Sequence, residues 1–440
     1  MTAPAPLTIY ALSSGSGRAG IAVVRLSGSL AGSALAKLAG TLPEPRRATL
    51  RKLKAADGQI IDEAMVLWFP GPHSATGEDV AELHVHGAPA IIAFLFSELS
   101  QIEGLRLAEP GEFSKRAFDH GKLDLLEVEG LADLLAATGE AQRRLAMRQF
   151  LGEASAVYEK WRADIISALA LHEAAIDFVE EDDVAAKARD MAGPVLHRLV
   201  KEFEAALRLS SQNAAIRSGL RLVIAGAPNV GKSSLLNALA GREVAIVSAQ
   251  AGTTRDVVEA QILFEGVPLA LADTAGLRAS TSDAIEKIGM ARAERAALDA
   301  DILLWVTAPD VKETVGPPRK PDLIISNKAD LESIRIRNDE ALRVSMKTGA
   351  GLNHLRADLQ KLIQRRLSVV DDAVVVRMRH VQAVEESIRL LNKCLEESYR
   401  PHELIAEDLR KAARALGSIT GHVDVEDLLG KIFLEFCIGK

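Results

Sequence analysis

Several kinds of residue and segment are scarce in this sequence, and each scarcity excludes a class of protein. The 440 residues include 2 cysteines, Cys394 and Cys437, which are too few for a disulfide framework. Basic residues number 53 against 60 acidic ones, so the formal net charge of -7 disfavours nucleic-acid binding through a diffuse positive field. Apolar runs such as residues 90–96 are far shorter than the roughly 18 residues that suggest a membrane span.

The first six residues, Met-Thr-Ala-Pro-Ala-Pro, lack the positive charge and the apolar stretch that are typical of a signal peptide. We therefore expect a protein of the reducing cytoplasm with no membrane role. Hydrophobic residues make up 48% of the chain and charged residues 26%, which is ordinary globular composition. A length of 440 residues at roughly 150 per domain predicts about three domains.

Proline is unevenly distributed, and its distribution divides the chain. Only Pro194 and Pro401 lie in residues 122–216 and 373–440, which are rich in Ala, Leu, Glu and Arg and are therefore expected to be helical. The remaining prolines lie in residues 1–121 and 217–372. The predicted domains are an N-terminal α+β domain (1–120), a helical domain in two parts (121–216 and 373–440) and an inserted α/β domain (217–372).

Short β-type runs separated by turn signals predict the strands of the two sheet-containing domains. In the first domain these runs are residues 21–26, 65–69 and 80–85, followed by a helix over 88–99. In the inserted domain they are residues 220–225, 268–272, 302–306 and 323–326. Alternation of the latter runs with helical stretches predicts a doubly wound α/β fold, so the chain as a whole is expected to be multidomain α/β.

Residues 226–233, Gly-Ala-Pro-Asn-Val-Gly-Lys-Ser, match the phosphate-loop pattern directly after a predicted strand and before a helix. The glycines let backbone N–H groups wrap the phosphates, Lys232 neutralises their charge, and the Ser233 hydroxyl is suited to Mg²⁺. Two further segments follow predicted strands: Asp273-Thr274-Ala275-Gly276, which suits Mg²⁺ and γ-phosphate sensing, and Asn327-Lys328-Ala329-Asp330.

The second of these segments predicts the base. A carboxylate at Asp330 accepts hydrogen bonds from N1–H and the exocyclic amine of guanine, whereas adenine has no N1 donor and would leave the carboxylate unpaired. Ser345-Met346-Lys347 occupies the place of the last guanine-contacting loop, in which GTPases usually have Ser-Ala-Lys, so Met346 is a departure. The ordered segments predict a GTPase, that is, a hydrolase acting on acid anhydrides.

The predicted GTP-binding residues fall into five groups along the chain. They are Asn229, Val230, Gly231, Lys232, Ser233 and Ser234; Ser248, Ala249, Gln250, Ala251, Gly252, Thr253 and Thr254; Asp273, Thr274, Ala275 and Gly276; Asn327, Lys328, Ala329 and Asp330; and Ser345, Met346 and Lys347.

The residue that triggers hydrolysis is less evident, because Leu277 stands where Ras-type GTPases have a water-positioning glutamine. Glu286, ten residues beyond Gly276, is a candidate for orienting water, although a lone glutamate is more often an exposed helical residue. Arg255 is a candidate arginine finger in cis or a surface ion-pair partner. The Asn229 carboxamide, with carbonyls of Ser248 and Gln250, is suited to a monovalent cation, or Asn229 simply tolerates a tight turn.

Two smaller features carry weaker hypotheses. Glu82, His84 and His86 alternate along a predicted strand and would share one face, which suits metal ligation, but three ligands without a fourth are weak evidence. Cys437 is either a nucleophile or, more commonly for such a cysteine, a small buried apolar side chain.

The ordered GTPase segments, the flanking helical halves and the terminal Phe-Cys-Ile-Gly-Lys resemble one family over essentially the whole chain: the tRNA uridine 5-carboxymethylaminomethyl modification GTPases, MnmE or TrmE, within the TrmE-Era-EngA-like GTPases. Further agreement lies outside the nucleotide segments, in residues 17–28, 69–72, 76–79, 110–118 and 121–124.

The resemblance implies an N-terminal domain that dimerises and binds 5-formyltetrahydrofolate or a related folate, a helical domain, and an inserted Ras-like domain activated by potassium-dependent dimerisation. It implies Glu286 as the catalytic residue. The implied ligands are Ser233 and Thr254 for Mg²⁺; Asn229, Ser248, Gln250 and Thr253 for K⁺; and Arg25, Glu82, Lys122 and Lys440 for folate. A folate ligand at Lys440 predicts that the final helix reaches the N-terminal domain, at the same site or that of its dimer mate.

The implied function is GTP hydrolysis that, together with an FAD- and NADH-dependent flavoprotein of the MnmG (GidA) type, adds a carboxymethylaminomethyl or aminomethyl group at C5 of the wobble uridine (U34) of certain tRNAs. The expected assembly is a homodimer that joins the flavoprotein in a heterotetramer or larger complex. One alternative is an Era- or Der-like ribosome-assembly switch, although the sequence has no basic or KH-type RNA-binding module. Another is a folate-binding scaffold in which the GTPase only sets the dimer geometry.

Overall fold

The computed structural model describes residues 7–177, 182–240, 260–264, 267–273, 294–311, 316–331, 341–367, 374–396, 400–423, 432, 436 and 439. The chain divides into two compact units. Unit 1 comprises Met1–Ala132, Gln149–Ala163 and Ala413–Lys440, and unit 2 comprises Asp133–Arg148 and Asp164–Ala412.

The secondary structure elements have the following bounds. The strands are β1 (Thr8–Leu12), β2 (Ala19–Ser27), β3 (Thr49–Lys54), β4 (Ile60–Phe69), β5 (Val80–Gly87), β6 (Leu105–Leu107), β7 (Leu220–Gly226), β8 (Ala260–Phe264), β9 (Val267–Asp273), β10 (Ile302–Thr307), β11 (Leu323–Ser326) and β12 (Leu342–Arg343). The helices are α1 (Ala31–Ala39), α2 (Pro89–Ser100), α3 (Glu112–Asp119), α4 (Leu125–Ala136), α5 (Glu140–Phe150), α6 (Glu153–Asp177), α7 (Asp182–Ser218), α8 (Lys232–Ala240), α9 (Leu352–Leu367), α10 (Met378–Glu396) and α11 (His402–Thr420).

Unit 1 contains a sheet of strand order β3-β4-β5-β2-β1-β6, in which β1 and β6 are parallel and the other neighbours antiparallel. Every second residue of the central strands is buried, as in Val24, Leu26 and Leu83, because helices α1 and α2 cover one face. Helix α2 begins at Pro89, where the fixed φ of proline suits the first turn and its missing N–H loses no intrahelical bond. The predicted α+β architecture is confirmed.

The predicted strands of the first segment are all present, but other elements were missed. Strands β1, β3 and β6 and helices α1 and α3 were not predicted. The sequence of β3, TLRKLK, does not alternate regularly between apolar and polar residues, and Leu53 is its only fully buried side chain. Edge strands commonly carry charged side chains, so this strand lacks the apolar alternation from which a strand is predicted.

Unit 2 contains a second sheet, of strand order β12-β11-β10-β7-β9-β8, in which only β8 pairs antiparallel. Its central strands read as continuous apolar runs because both faces are covered, and Leu235 of α8 and Leu355 of α9 are fully buried against it. The doubly wound α/β fold is confirmed. The chain emerges from β7 and β11 at the carboxyl edge of the sheet, where ligands bind in such folds.

Helical segments on either side of this sheet in the sequence pack together within unit 2. Helix α7 packs against α10, and the amide Nδ2 of the fully buried Asn213 donates to the carbonyl of Val375 at 3.1 Å. Leu145, Ile216 and Val376 form a small apolar cluster beside that bond. The division into four sequence segments remains a prediction. Within the described residues, none of the helices is both long and apolar enough to cross a bilayer.

Candidate functional site

The phosphate loop lies between β7 and α8, as its sequence context predicts. Gly226 (φ 148) and Gly231 (φ 97) have backbone conformations that L side chains rarely adopt. A Cβ on Gly226 would lie 2.1 Å from the carbonyl oxygen of Val306, and one on Gly231 would lie 2.2 Å from the amide nitrogen of Asn327. Both glycines are therefore required by close packing of the loop against the neighbouring strand ends.

Asn229 has a left-handed backbone (φ 64), and its side chain is exposed. Asparagine tolerates this conformation better than most residues, so the local geometry alone accounts for its presence. The same exposure leaves its carboxamide oxygen accessible to a cation. Of the two interpretations given by the sequence, the turn geometry is observed and the cation remains a prediction.

The Lys232 side chain folds back over the loop. Its Nζ donates to the carbonyls of Gly226 and Ala227, each at 3.0 Å. Phosphate oxygens are stronger acceptors than carbonyls, because both partners of the hydrogen bond are then charged. The ammonium is therefore placed in the loop where an incoming phosphate can take over its hydrogen bonds. Ser233 and Ser234, in the first turn of α8, are exposed.

The Asn-Lys-Ala-Asp segment follows β11, and its first residue ties the base-binding loops to the phosphate loop. The Asn327 side chain is 3% exposed, and its Nδ2 donates to the carbonyl of Val230 at 2.8 Å. Its Oδ1 accepts the N–H of Met346 at 3.2 Å. One amide thus fixes the spacing of three loops, which matches the predicted role of this segment in nucleotide binding.

Asp330 is oriented by the third loop. The hydroxyl of the fully buried Ser345 donates to its Oδ1 at 2.6 Å, and the same Oγ accepts the N–H of Thr348 at 3.2 Å. This hydrogen bond lowers the pKa of the Asp330 carboxyl, and the charges of Lys347 and Lys328 act in the same direction. The carboxylate is therefore ionised at neutral pH and accepts only, as recognition of the guanine edge requires.

Met346, the departure from the usual Ser-Ala-Lys, packs its side chain against the apolar core of the second sheet. The contribution to the loop comes from its backbone N–H, which any residue other than proline supplies. Substitution of the usual alanine by methionine therefore leaves the hydrogen bonding of the loop unchanged.

Several predicted residues lie outside the described part of the chain. They are Ser248, Ala249, Gln250, Ala251, Gly252, Thr253, Thr254, Arg255, Thr274, Ala275, Gly276, Leu277, Glu286, Cys437 and Lys440. Asp273 is the last residue of β9, and its backbone alone is described. The hypotheses on these residues stay predictions.

In unit 1, two of the predicted folate ligands are brought together on neighbouring strands. Arg25 of β2 lies opposite Glu82 of β5, and its Nε and Nη2 lie 3.0 and 2.9 Å from Glu82 Oε1. His84 Nε2 lies 3.1 Å from the other carboxylate oxygen. Burial by itself raises the pKa of Glu82, but the Arg25 charge and the hydrogen bonds from His84 and Arg25 outweigh it, so the pKa is lowered.

The metal hypothesis for Glu82, His84 and His86 receives no support from this arrangement. Glu82 is paired with Arg25 and His84, whereas His86 turns to Asp62, with Nδ1 2.8 Å from Asp62 Oδ1. Among the described residues, no group of three or more His, Cys, Asp or Glu side chains is arranged to hold a metal ion.

Lys122 and Gly439 each lie beside a loop of the N-terminal domain, Lys122 near Gly77 and Gly439 near Ser13. A Cβ on Gly77 would lie 3.4 Å from Cε of Lys122, so the Lys122 side chain passes beside this glycine. At the other end of the sequence, the carbonyl of Gly439 accepts the Ser13 hydroxyl at 2.8 Å, and a Cβ on Gly439 would lie 2.0 Å from the carbonyl oxygen of Leu12. At Gly439 the chain therefore contacts the N-terminal domain, whereas the approach of the final helix and of Lys440 stays a prediction.

A buried ion network in unit 1 was missed by sequence reasoning. Arg116 is 8% exposed and donates to Glu78 at 2.8 Å, to Glu112 at 3.0 Å and to the carbonyl of Leu7 at 2.8 Å. Arg106 also pairs with Glu112. Glu78, Glu112 and Arg116 lie in residues 76–79 and 110–118, so these motifs include residues that hold the domain together. No local pattern in the sequence signals the network, because Arg116 and Glu78 are 38 positions apart.

A phosphate loop, an Asn-Lys-x-Asp segment and a serine that orients its aspartate, all at one edge of a mostly parallel sheet, define a P-loop GTP hydrolase. Comparison with known proteins agrees. A family model described as "MnmE helical domain" matches residues 125–437, and one described as "GTP-binding protein TrmE N-terminus" matches residues 8–122.

The relatives that match almost end to end include two that are both named tRNA modification GTPase MnmE. The protein of Bradyrhizobium sp. (strain ORS 278) is 45% identical, covering 99% of this chain and 100% of its own length. That of Beijerinckia indica subsp. indica is 46% identical, covering 98% of this chain and 96% of its own length. The chain therefore belongs to the MnmE family of tRNA modification GTPases.

Among solved structures, the G domain of the T. maritima FeoB iron transporter is similar to 33% of this chain and 99% of its own, with 23% identity and a TM-score of 0.24.

Proposed function

We propose that GTP hydrolysis by this protein drives modification of the wobble uridine of certain tRNAs. It acts with an MnmG (GidA)-type flavoprotein to add a carboxymethylaminomethyl or aminomethyl group at C5 of U34. The observation that carries the proposal is the 45% identity to a tRNA modification GTPase over 99% of the chain. A shared GTPase domain alone would match only part of the sequence, whereas this identity includes the N-terminal and helical segments.

The nucleotide half of the proposal is supported by described residues in the phosphate loop and the base-binding loops. Lys232 and the loop N–H groups bind the β- and γ-phosphates, and Asp330 binds the guanine edge. Mg²⁺ supplies positive charge at the reacting phosphates when bound. Ser233 fits that ion, because its hydroxyl is exposed at the start of α8 beside Lys232, and Thr254 is the second proposed ligand.

Potassium-dependent dimerisation of the GTPase domain is the proposed trigger of hydrolysis. Asn229 fits a potassium ion, because its carboxamide is exposed on a left-handed turn of the phosphate loop. Ser248, Gln250 and Thr253 are the other proposed ligands. Glu286 is the proposed catalytic residue that orients water in place of the glutamine absent at Leu277.

The proposed folate site lies in the N-terminal domain, at Arg25, Glu82, Lys122 and Lys440. The Arg25 and Glu82 side chains are 23% and 17% exposed, so both charges can be reached from solvent although they pair with each other. A carboxylate is suited to the amino and ring N–H groups of a pterin, and arginine or lysine to the glutamate tail. The folate carries the one-carbon unit when bound.

The proposed assembly is a cytoplasmic homodimer that joins the flavoprotein and tRNA in a heterotetramer or larger complex. The proposed domains are residues 1–120, a helical domain in two parts (121–216 and 373–440) and the GTPase domain (217–372). An acidic protein of net charge -7 is suited to sharing tRNA with a partner rather than holding it alone.

Two measurements test the proposal. GTP turnover of the purified protein is compared in potassium and in sodium at equal ionic strength, for the wild type and Asn229→Ala. We expect stimulation by potassium that the variant loses, and equal rates in both salts would contradict the potassium site and favour Arg255 or an external activator.

The second measurement is tRNA modification by the reconstituted system with Glu286→Ala. We expect hydrolysis and modification to stop together. Modification that continues without hydrolysis would instead indicate a folate-binding scaffold.

A further inference from the structure

Asp310 forms an ion pair with the lysine of the Asn-Lys-Ala-Asp segment. Its Oδ2 lies 2.6 Å from Nζ of Lys328, and the two side chains are 37% and 30% exposed. Asp310 belongs to none of the segments that the sequence associates with the nucleotide. It lies three residues beyond the end of β10, which ends at Thr307, whereas Lys328 follows the adjacent strand β11.

The backbones that carry both side chains are fixed. Asp310 lies in a turn closed by a hydrogen bond from the N–H of Val311 to the carbonyl of Ala308, at 3.1 Å, and Ala308 is buried in the sheet core. Lys328 has a positive φ of 60°, an uncommon conformation for lysine. The next residue, Ala329, donates to Val344 at 3.0 Å, which holds the loop in place. The ion pair therefore joins two side chains whose backbones are each held in place by hydrogen bonds.

The position of Lys328 determines what this pair does to the nucleotide. Asp330 binds the edge of guanine, so the base lies beside the loop that also carries Lys328, two residues earlier. A lysine stem is apolar along its four methylenes and covers a flat ring well when its charged end is held in water or by a partner. An unpaired lysine on the surface would sample many rotamers and lose them on binding.

We propose that Asp310 is a positioning residue for guanine nucleotides: by holding Nζ, it keeps the Lys328 stem extended as one wall of the base pocket before the nucleotide arrives. The inference goes beyond the proposed tRNA function and depends only on guanine nucleotide binding. Preorganisation of this kind raises the affinity for the base without touching the phosphates.

A comparable lysine–aspartate pair provides a matched control. Lys361 Nζ lies 3.1 Å from Asp358 Oδ1 on helix α9, and Asp358 is 40% exposed, close to the exposure of Asp310. A surface pair of this kind contributes little on its own. If Asp310 formed only a surface ion pair, its removal would change GDP affinity no more than removal of Asp358 does.

The experiment measures dissociation constants of GDP and of pyrophosphate for Asp310→Asn, Asp358→Asn and Lys328→Ala, and for Asp310→Asn combined with Lys328→Ala. Removal of Asp310 is expected to weaken GDP binding by about 3- to 20-fold, the upper range being set by the rotamer entropy of a lysine. Pyrophosphate binding is expected to stay unchanged, and kcat at saturating GTP likewise. Asp310→Glu is expected to restore part of the affinity.

The double variant decides whether Asp310 acts through the lysine. In the Lys328→Ala background, the loss of Asp310 is expected to have no further effect on GDP binding. The proposal is overturned if Asp310→Asn weakens GDP no more than Asp358→Asn does. It is equally overturned if the loss persists without Lys328, because Asp310 then does not act through the lysine, or if pyrophosphate weakens in parallel, because the effect is then not confined to the base.

Discussion

Replacing Asp133 by alanine is expected to loosen the two chain segments that enter and leave the nucleotide-binding sheet. Nε of Arg217, three residues before β7, lies 3.0 Å from both Asp133 oxygens. Nη2 of Arg377, immediately before α10, donates to Oδ1 at 2.9 Å. One carboxylate therefore holds both connections of the sheet to the helical segments.

The magnitude follows from the burial of each partner. The Asp133 and Arg377 side chains are 16% and 12% exposed, and breaking a buried pair by removing one member costs about 3 to 5 kcal/mol. Arg217 is 34% exposed, so its share is screened by water. A cavity of about 300 Å³ lined by Asp133 and Arg217 admits further solvent. We expect a loss of about 2 to 4 kcal/mol in local stability.

Hydrogen exchange read by mass spectrometry on peptides from the C-terminal end of α7 and the start of α10 measures this loss locally. A local measurement is suited to multidomain proteins, since they commonly do not unfold in a single two-state transition. Glu140→Ala is the matched control, because Glu140 also accepts from two arginines, Arg143 and Arg144, but its side chain is 53% exposed. GDP affinity is expected to stay unchanged. Exchange in Asp133→Ala no faster than in Glu140→Ala would refute the reasoning.

Three further variants are expected to have distinct effects. Gly231→Ala is expected to abolish GDP binding in a fluorescence titration, because its Cβ would lie 2.2 Å from the neighbouring asparagine amide. Asp330→Asn is expected to exchange guanine for xanthine nucleotides in competition binding, since its amide NH₂ donates to the C2 carbonyl of xanthine but faces the 2-amino group of guanine, which is itself a donor. His172→Phe is expected to flatten the acid dependence of stability, followed by unfolding at pH 4 to 7. The pKa of His172 is lowered from 6.5 to about 4, mainly by burial and further by the neighbouring charges of His402 and Arg189.

The sign of the histidine effect follows from proton binding. Between pH 6.5 and about 4 the unfolded chain binds a proton at His172 that the folded chain does not, so wild-type stability falls as the pH drops through this range, by at most about 1.4 kcal/mol per pH unit. An unchanged slope in His172→Phe would contradict this. The control for Gly231→Ala is Gly316→Ala, because a Cβ on Gly316 would meet no atom within 4 Å. Retained preference of Asp330→Asn for guanine would contradict the assignment of the base contact.

Features fixed by local pattern were predictable from sequence, and features made by distant charges were not. The phosphate loop was found because glycine spacing and a following helix are local, and the buried strands because apolar runs are local. Asp133 and Arg377 are separated by 244 positions, and no periodicity relates them. Asp310 and Lys328 are only 18 positions apart, yet their pairing depends on β10 and β11 being neighbours in the sheet. Register likewise brings Arg25 opposite Glu82.

The most direct test of the central claim is mass spectrometry of tRNA from a strain that lacks this protein, complemented with the wild type or with Lys232→Ala. We predict that the C5 modification of the wobble uridine disappears on deletion, returns with the wild type and does not return with the variant that cannot use GTP. Wobble uridine that remains fully modified in the deletion strain would contradict the proposed function.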